Sequence, residues 1–250
     1  MNDSAAIKPS SKPMPWTKTK KAIVWGIAAF LALAAATLFF QRHAIANAMM
    51  IARGERAVAN HIATPIDLTA SYANQDDNWD LPWDFQVFND VPVQIDGSMY
   101  LWGEGNSKSG VDFAEEVTGI AVNRKFDTLY VYHATFFSAP TGTPVYELVF
   151  RYDDGSSVTN QLLYGSDLLD FNSGVKGNRT VKGPTGNNSR LAWVGGSFTD
   201  DGNQPLRFCL TAIKNPQANI EVTSIDLYSC KSRAAAVIMA MTTGPSGLMK

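Results

Sequence analysis

The sequence predicts an all-β domain, a jelly-roll β-sandwich, preceded by one N-terminal transmembrane helix and a short helical stalk. Three observations predict it. Residues Ala22–Phe40, AIVWGIAAFLALAAATLFF, form a run of 19 without a charge. After Pro65, helical spacing of apolar residues gives way to short alternating runs separated by Gly, Asn, Asp and Pro. The charge is also divided unevenly. Residues 1–60 carry eight Lys/Arg against Asp3 and Glu55, whereas residues 61–250 carry 13 Lys/Arg against 21 Asp/Glu. The chain thus divides into a basic flexible tail (1–21), a transmembrane helix (22–40), a helical stalk (41–63) and a sandwich (64–250).

In the tail, Pro9, Pro13 and Pro15 oppose helix amid Lys and Ser. A 19-residue helix rises about 28 Å, close to the thickness of a bilayer's hydrocarbon core. Lys8, Lys12, Lys18, Lys20 and Lys21 precede the run, and Arg42, Arg53 and Arg56 follow it. Five cations against three place the N-terminus in the cytoplasm and export the rest. Trp16 and Trp25 at one end, and Phe39 and Phe40 at the other, suit the two membrane interfaces. Cleavage as a signal peptide at Ala46-Asn47-Ala48 is the competing reading. The run is longer than a signal core of about 7–15 residues, and Gln41-Arg42-His43 intervenes, which favours an uncleaved anchor. From Gln41 to His61 the Ala- and Met-rich composition continues the helix, with Ile45, Met49 and Ala52 on one stripe. A stalk is preferred over a helix docked on a partner.

Ten strands are predicted: Val91–Ile95, Met99–Trp102, Val117–Val122, Thr128–Thr135, Val145–Tyr152, Ser157–Leu163, Arg190–Val194, Leu206–Ile213, Val222–Ser229 and Ala235–Thr242. Asp153-Asp154-Gly155 marks a hairpin, because Asp-Gly tolerates the positive φ of tight turns. Beyond residue 61 nothing keeps a long helical period, so the class is a sandwich or jelly roll rather than α/β. Residues 172–189, NSGVKGNRTVKGPTGNNS, are expected to be an exposed loop carrying a basic island of Lys176, Arg179 and Lys182 on an acidic domain. That island could meet a phosphate, a lipid headgroup or an acidic partner. The acidic balance itself lacks the basic footprint that nucleic-acid binding needs.

Chemistry is sparse. Of three histidines, His43 lies at the membrane edge and His61 at the end of the stalk. His133, in a strand, shares a face with Leu129 and Val131, which predicts a buried, hydrogen-bonded side chain. No histidine or cysteine pair has zinc spacing, and no nucleophile elbow, phosphate loop or dinucleotide fingerprint occurs. Gly103-Glu104-Gly105 reads as a turn. No cofactor and no enzymatic activity are expected. Asp76, Asp77 and Asp80, with Asn78, are weak calcium candidates, although their spacing is not that of an EF-hand loop. Cys209 and Cys230 are a candidate disulfide in an exported domain. As simple hairpin neighbours their strands would set them roughly 20 Å apart, so a bond requires different sheets or a bend. Trp79, Trp83, Trp102 and Tyr164 near loops could stack on sugar rings, although most aromatics in such a domain are core.

One ordered set of short runs resembles a known module. It comprises Ile66-Asp67-Leu68-Thr69, Tyr72-Ala73-Asn74, Trp79, Leu81-Pro82, Phe88 and Val91-Pro92-Val93-Gln94-Ile95. It continues with Leu129–Thr135, Ser138–Thr143, Tyr152–Gly155, Tyr164–Asp167, Asn215-Pro216 and Ser224–Leu227. The set is similar to a largely uncharacterised bacterial extracytoplasmic β-sandwich module, found alone or appended to membrane regulators such as anti-sigma factors and kinases. The resemblance covers roughly residues 64–243. It implies a jelly roll loosely similar to galactose-binding folds, in a bacterial inner membrane with the sandwich periplasmic or extracytoplasmic, and no known enzymatic role. Two positions depart from the pattern. Ile213 and Phe171 stand where similar sequences carry Trp: if those Trp residues form a ligand platform, it is altered here, and if they are core, Ile and Phe are ordinary replacements.

The resulting expectation is a non-catalytic interaction, accessory or scaffolding subunit of a membrane complex, in contact with lipid through residues 22–40 and with a membrane-protein partner. The alternative is a glycan-binding module that tethers the membrane to cell-wall or surface polysaccharide.

Overall fold

A computed structural model describes residues 18–73, 81–175, 180–196 and 204–250; between 18 and 35 the described side chains are those of Trp25, Ala32 and Leu33. The chain divides into two compact units, residues 1–49 and 50–250.

One unbroken helix, α1 (Lys18–Ala59), contains both the apolar run and most of the expected stalk. Within the first unit Leu33, Leu38, Phe39, Phe40, Ile45 and Met49 are exposed. Among the described residues no helix is long and apolar enough to cross a membrane. Most side chains of 22–31, together with those of 34 and 35, lie outside that description, as do residues 1–17 of the predicted tail.

The second unit begins with the last turns of α1. They are docked on the unit's own β structure, so this part of the helix is not a free spacer. Gly54 is buried, and a Cβ there would collide with Val87. The helix ends in a Schellman arrangement. The Ile62 N–H donates to Ala57 O (2.9 Å) and the His61 N–H to Val58 O (2.9 Å), with His61 in the left-handed region at φ 56°.

The strands form three antiparallel groups. A six-stranded sheet runs β1 (Thr64–Pro65), β12 (Ala235–Gly244), β6 (Thr128–Phe136), β10 (Leu206–Lys214), β9 (Ser189–Gly195), with β4 (Met99–Tyr100) also on β12. A four-stranded sheet runs β5 (Glu116–Arg124), β11 (Val222–Ser229), β7 (Pro144–Tyr152), β8 (Ser157–Leu163). A hairpin pairs β2 (Asp84–Phe88) with β3 (Val91–Ile95).

Alternation along β6 explains the layering. Leu129 and Val131 join a core containing Leu148, Phe150, Ile225 and Leu227 of the four-stranded sheet. Tyr130, Tyr132 and Ala134 point the other way, into a second core with Val91, Val93 and Ile95 of the hairpin. The six-stranded sheet is therefore buried on both faces, and β6 and β12 read as near-continuous apolar runs for that reason. Tyr132 is stacked between Phe88 (4.9 Å between ring centroids) and Phe208 (5.0 Å). Burying each such side chain contributes about 1.5–3 kcal/mol. Ile213 lies in the first core and Phe171 in the second, so the two positions that depart from the Trp pattern are core positions.

All ten predicted strands are present, and Val91–Ile95, Ser157–Leu163 and Val222–Ser229 have the predicted bounds. Gly155, at φ 79°, turns β7 into β8, with the Tyr152 N–H bonded to Ser156 O (3.0 Å). Gly103-Glu104-Gly105, expected as a turn, opens the short helix α2 (Glu104–Lys108). The tip of the β2–β3 hairpin, Asn89 and Asp90, takes positive φ at both residues, as a two-residue turn requires. Lys250 (2.9 Å) and Arg53 of α1 (3.4 Å) grip the Asp90 carboxylate. The Lys250 bond, more than any other contact, holds that carboxyl below its usual range.

Candidate functional site

Several predicted site residues lie outside the described residues: Asp76, Asp77, Trp79 and Asp80 before β2, and Lys176 and Arg179 in the 172–189 loop. The described part of that loop is pinned rather than freely solvated. Thr185 N–H donates to Gly165 O (2.9 Å), Gly186 N–H to Ser166 O (2.9 Å), and the Arg207 guanidinium to Lys182 O (3.0 Å). The Lys182 side chain is exposed. Trp83 is half-buried and packs against the second core, with its carbonyl accepting from Gln86 Nε2 (2.7 Å). Trp102 is half-buried and held by Ala114 O (2.8 Å) and by the Ser229 hydroxyl (2.7 Å). Among the described residues, Lys182, Trp83 and Trp102 have these separate partners and share none of them. Among the described residues, no group of three or more His, Cys, Asp or Glu could hold a metal ion.

Both cysteines are free thiols, which corrects the candidate disulfide. Cys209 sits within β10 opposite His133 of β6, while Cys230 follows β11 of the other sheet. The strands are thus in different sheets, as a bond would need, yet each thiol stands alone. Burial pushes the Cys209 thiol up to about 12 and the Cys230 thiol up to about 11, so neither is a ready nucleophile.

His133 is fully buried, as its face predicts. Nδ1 lies 2.8 Å from Tyr146 Oη and Nε2 lies 2.8 Å from Thr211 Oγ1. Thr211 donates its one hydroxyl proton to Asp167 O (2.8 Å), so it accepts from His133 and from Ser189 Oγ (2.9 Å). His133 is therefore the Nε2–H tautomer, and its Nδ1 accepts from Tyr146. Desolvation lowers its pKa to about 3, which keeps the ring neutral. With both nitrogens engaged and no exposed edge, this histidine ties the two sheets together and has no position free for acid–base chemistry.

Among the described residues, two of the clefts present polar groups. A polar cleft of about 400 Å³ between β8 and β10 is lined by Thr159, Asn160, Gln161, Asp167, Thr211 and Lys214. Asn160 Nδ2 is buried there without a partner among the described residues, and burial raises the Asp167 carboxyl above its usual range. A second cleft, about 430 Å³, lies where α1 ends and is lined by His61, Ile62, Arg124, Lys125, Phe126 and Asp127 among others. Arg124 belongs to no motif. The signal that could have found it is Arg124-Lys125, the one adjacent basic pair within residues 61–250.

Comparison with protein-family models, curated proteins and solved structures finds no match for this chain.

Proposed function

We propose that this chain is a non-catalytic, single-pass membrane-anchored protein whose sandwich serves as an interaction, accessory or scaffolding subunit of a membrane protein complex. The observation that carries the reading is helix α1. Its uncharged 19-residue run is followed by exposed Ile45 and Met49, apolar side chains in want of lipid or protein cover. The saturated hydrogen bonding of His133 supports a structural rather than a catalytic interior. The resemblance to the bacterial jelly-roll module agrees with an exported sandwich.

The test is alkaline extraction of membranes with protease digestion of intact spheroplasts. The protein should stay with the membrane while the sandwich is cleaved from outside. Release into the alkaline supernatant overturns the anchor. Native electrophoresis after mild detergent extraction should show a complex, and a clean monomer counts against a scaffolding role.

Glycan binding is the second reading, supported by the amides and carboxyl of the polar cleft. Binding to a glycan array that is lost in Asn160→Ala would favour it.

A further inference from the structure

We propose that the cleft at the end of α1 binds a small anionic ligand, a phosphate monoester or a carboxylate, through the guanidinium of Arg124. The proposal is independent of whether α1 lies in a membrane.

Arg124 closes β5, opposite Val222 of β11. Its Nε donates to Val122 O (3.1 Å), but Nη1 is buried and has no partner among the described residues. Arg207, the arginine of the sandwich that is buried outright, has its partners: Asp170 O (2.8 Å) and Lys182 O (3.0 Å) accept from it. A desolvated guanidinium N–H without an acceptor is costly, and Arg124 lines the cleft, so an anion held there beside the guanidinium would offset that cost electrostatically. Arginine's planar fork matches the two oxygens of a carboxylate or phosphate.

The surroundings agree. Lys125 and His61 line the same cleft, against the single carboxylate of Asp127. This is a locally basic spot on a domain whose overall balance is acidic. Phe126 gives the cleft an apolar floor that is part of the first core. The volume, about 430 Å³, lies in the usual range for small-molecule sites of about 300–1,000 Å³.

The walls are also fixed in advance. Asn215, almost fully buried, donates from Nδ2 to Phe126 O (2.9 Å) and from its backbone N–H to Asp127 O (2.8 Å). Its Oδ1 accepts from the Tyr152 hydroxyl (2.6 Å) and from the Gln217 N–H (3.0 Å). The turn that carries Lys125 and Asp127 is therefore held before any ligand arrives, and little ordering remains to oppose binding. Asn215-Pro216 thus has a local physical role: it clamps this turn.

The test is calorimetric titration of the full chain in detergent with glycerol 3-phosphate and, separately, with glucuronate. Each is referenced to sodium chloride of equal ionic strength. Saturable binding of at least one probe is expected, and which probe binds identifies the anion. Arg124→Gln should weaken it at least tenfold. Arg124→Lys, which keeps the charge but loses the fork, should weaken it less. Lys231→Gln, which removes an exposed cation outside the cleft, should leave it unchanged. The proposal is overturned if neither probe binds saturably, if Arg124→Gln binds as the parent does, or if Lys231→Gln weakens binding equally.

Discussion

Acidification should destabilise the sandwich through His133, and the size of the effect can be worked from the structure. The ring is fully buried, and burial lowers its pKa from 6.5 to about 3. The unfolded chain takes up a proton near pH 6.5 while the folded chain refuses it until far lower pH. The stabilisation is thus fully present above pH 6.5 and is lost progressively as pH falls towards 3. At roughly 1.4 kcal/mol per pH unit, about 2 kcal/mol is gone by pH 5 and roughly 5 kcal/mol by pH 3. For a domain of this size about 2 kcal/mol corresponds to a fall in Tm of roughly 4–8 °C. The assay is thermal unfolding of the detergent-solubilised chain, followed by tryptophan fluorescence from pH 7.5 to pH 5. Other groups titrate over the same range, so the comparison is with His133→Gln. This variant can hydrogen-bond to Tyr146 and Thr211 but cannot take a proton. The parent should lose about 2 kcal/mol more than the variant between pH 7.5 and 5. Equal pH slopes, or an imidazole resonance of residue 133 titrating near 6.5, would refute the reasoning.

Three further outcomes are expected. Gly54→Val should drive a side chain into Val87, costing about 1–3 kcal/mol and lowering Tm accordingly; an unchanged melt would mean that α1 is not docked there. Tyr132→Phe should leave stability unchanged or raise it by up to about 1–3 kcal/mol, because the buried hydroxyl has no partner among the described residues and the ring stacking survives; chemical denaturation reads the sign. Alkylation without reductant, followed by mass spectrometry, should modify Cys209 only after unfolding and Cys230 slowly in the native chain. Failure of either to react in denaturant would reveal a disulfide.

How much was legible follows from which forces act locally. Strands with strong alternation and clear turn punctuation, such as Val222–Ser229, could be read directly. β1 has two residues and exists only because Thr64 meets Thr243 and Pro65 meets Thr242, a pairing across most of the domain that no local pattern encodes. β2 starts at Asp84, whose φ of 62° is foreign to a strand, and its Asp and Gln dilute the alternation. His133 was legible because its face is fixed by parity with Leu129 and Val131. The second core, to which Tyr130 and Tyr132 belong, is not legible locally, because Tyr also suits a half-exposed face. Docking of the stalk had one clue, a glycine within an Ala-rich helix, and Gly54 is where the backbone passes closest to Val87. Arg124 was invisible as a site because an orphaned donor is a property of neighbours and not of sequence spacing.

The position of β12 sets a constraint on when the domain can form. This last strand lies between β1 and β6 and also carries β4, so it joins residues from near the start of the domain to those in the middle. Until residues 235–244 are available, β6 has an open edge and aromatic side chains on a face without its full cover. A chain emerging from N to C therefore withholds the piece that closes both cores until nearly all of this domain has emerged. Folding must then close large loops, a slow route with a long exposure of sticky edges. Such a chain depends on being held soluble until that final strand arrives.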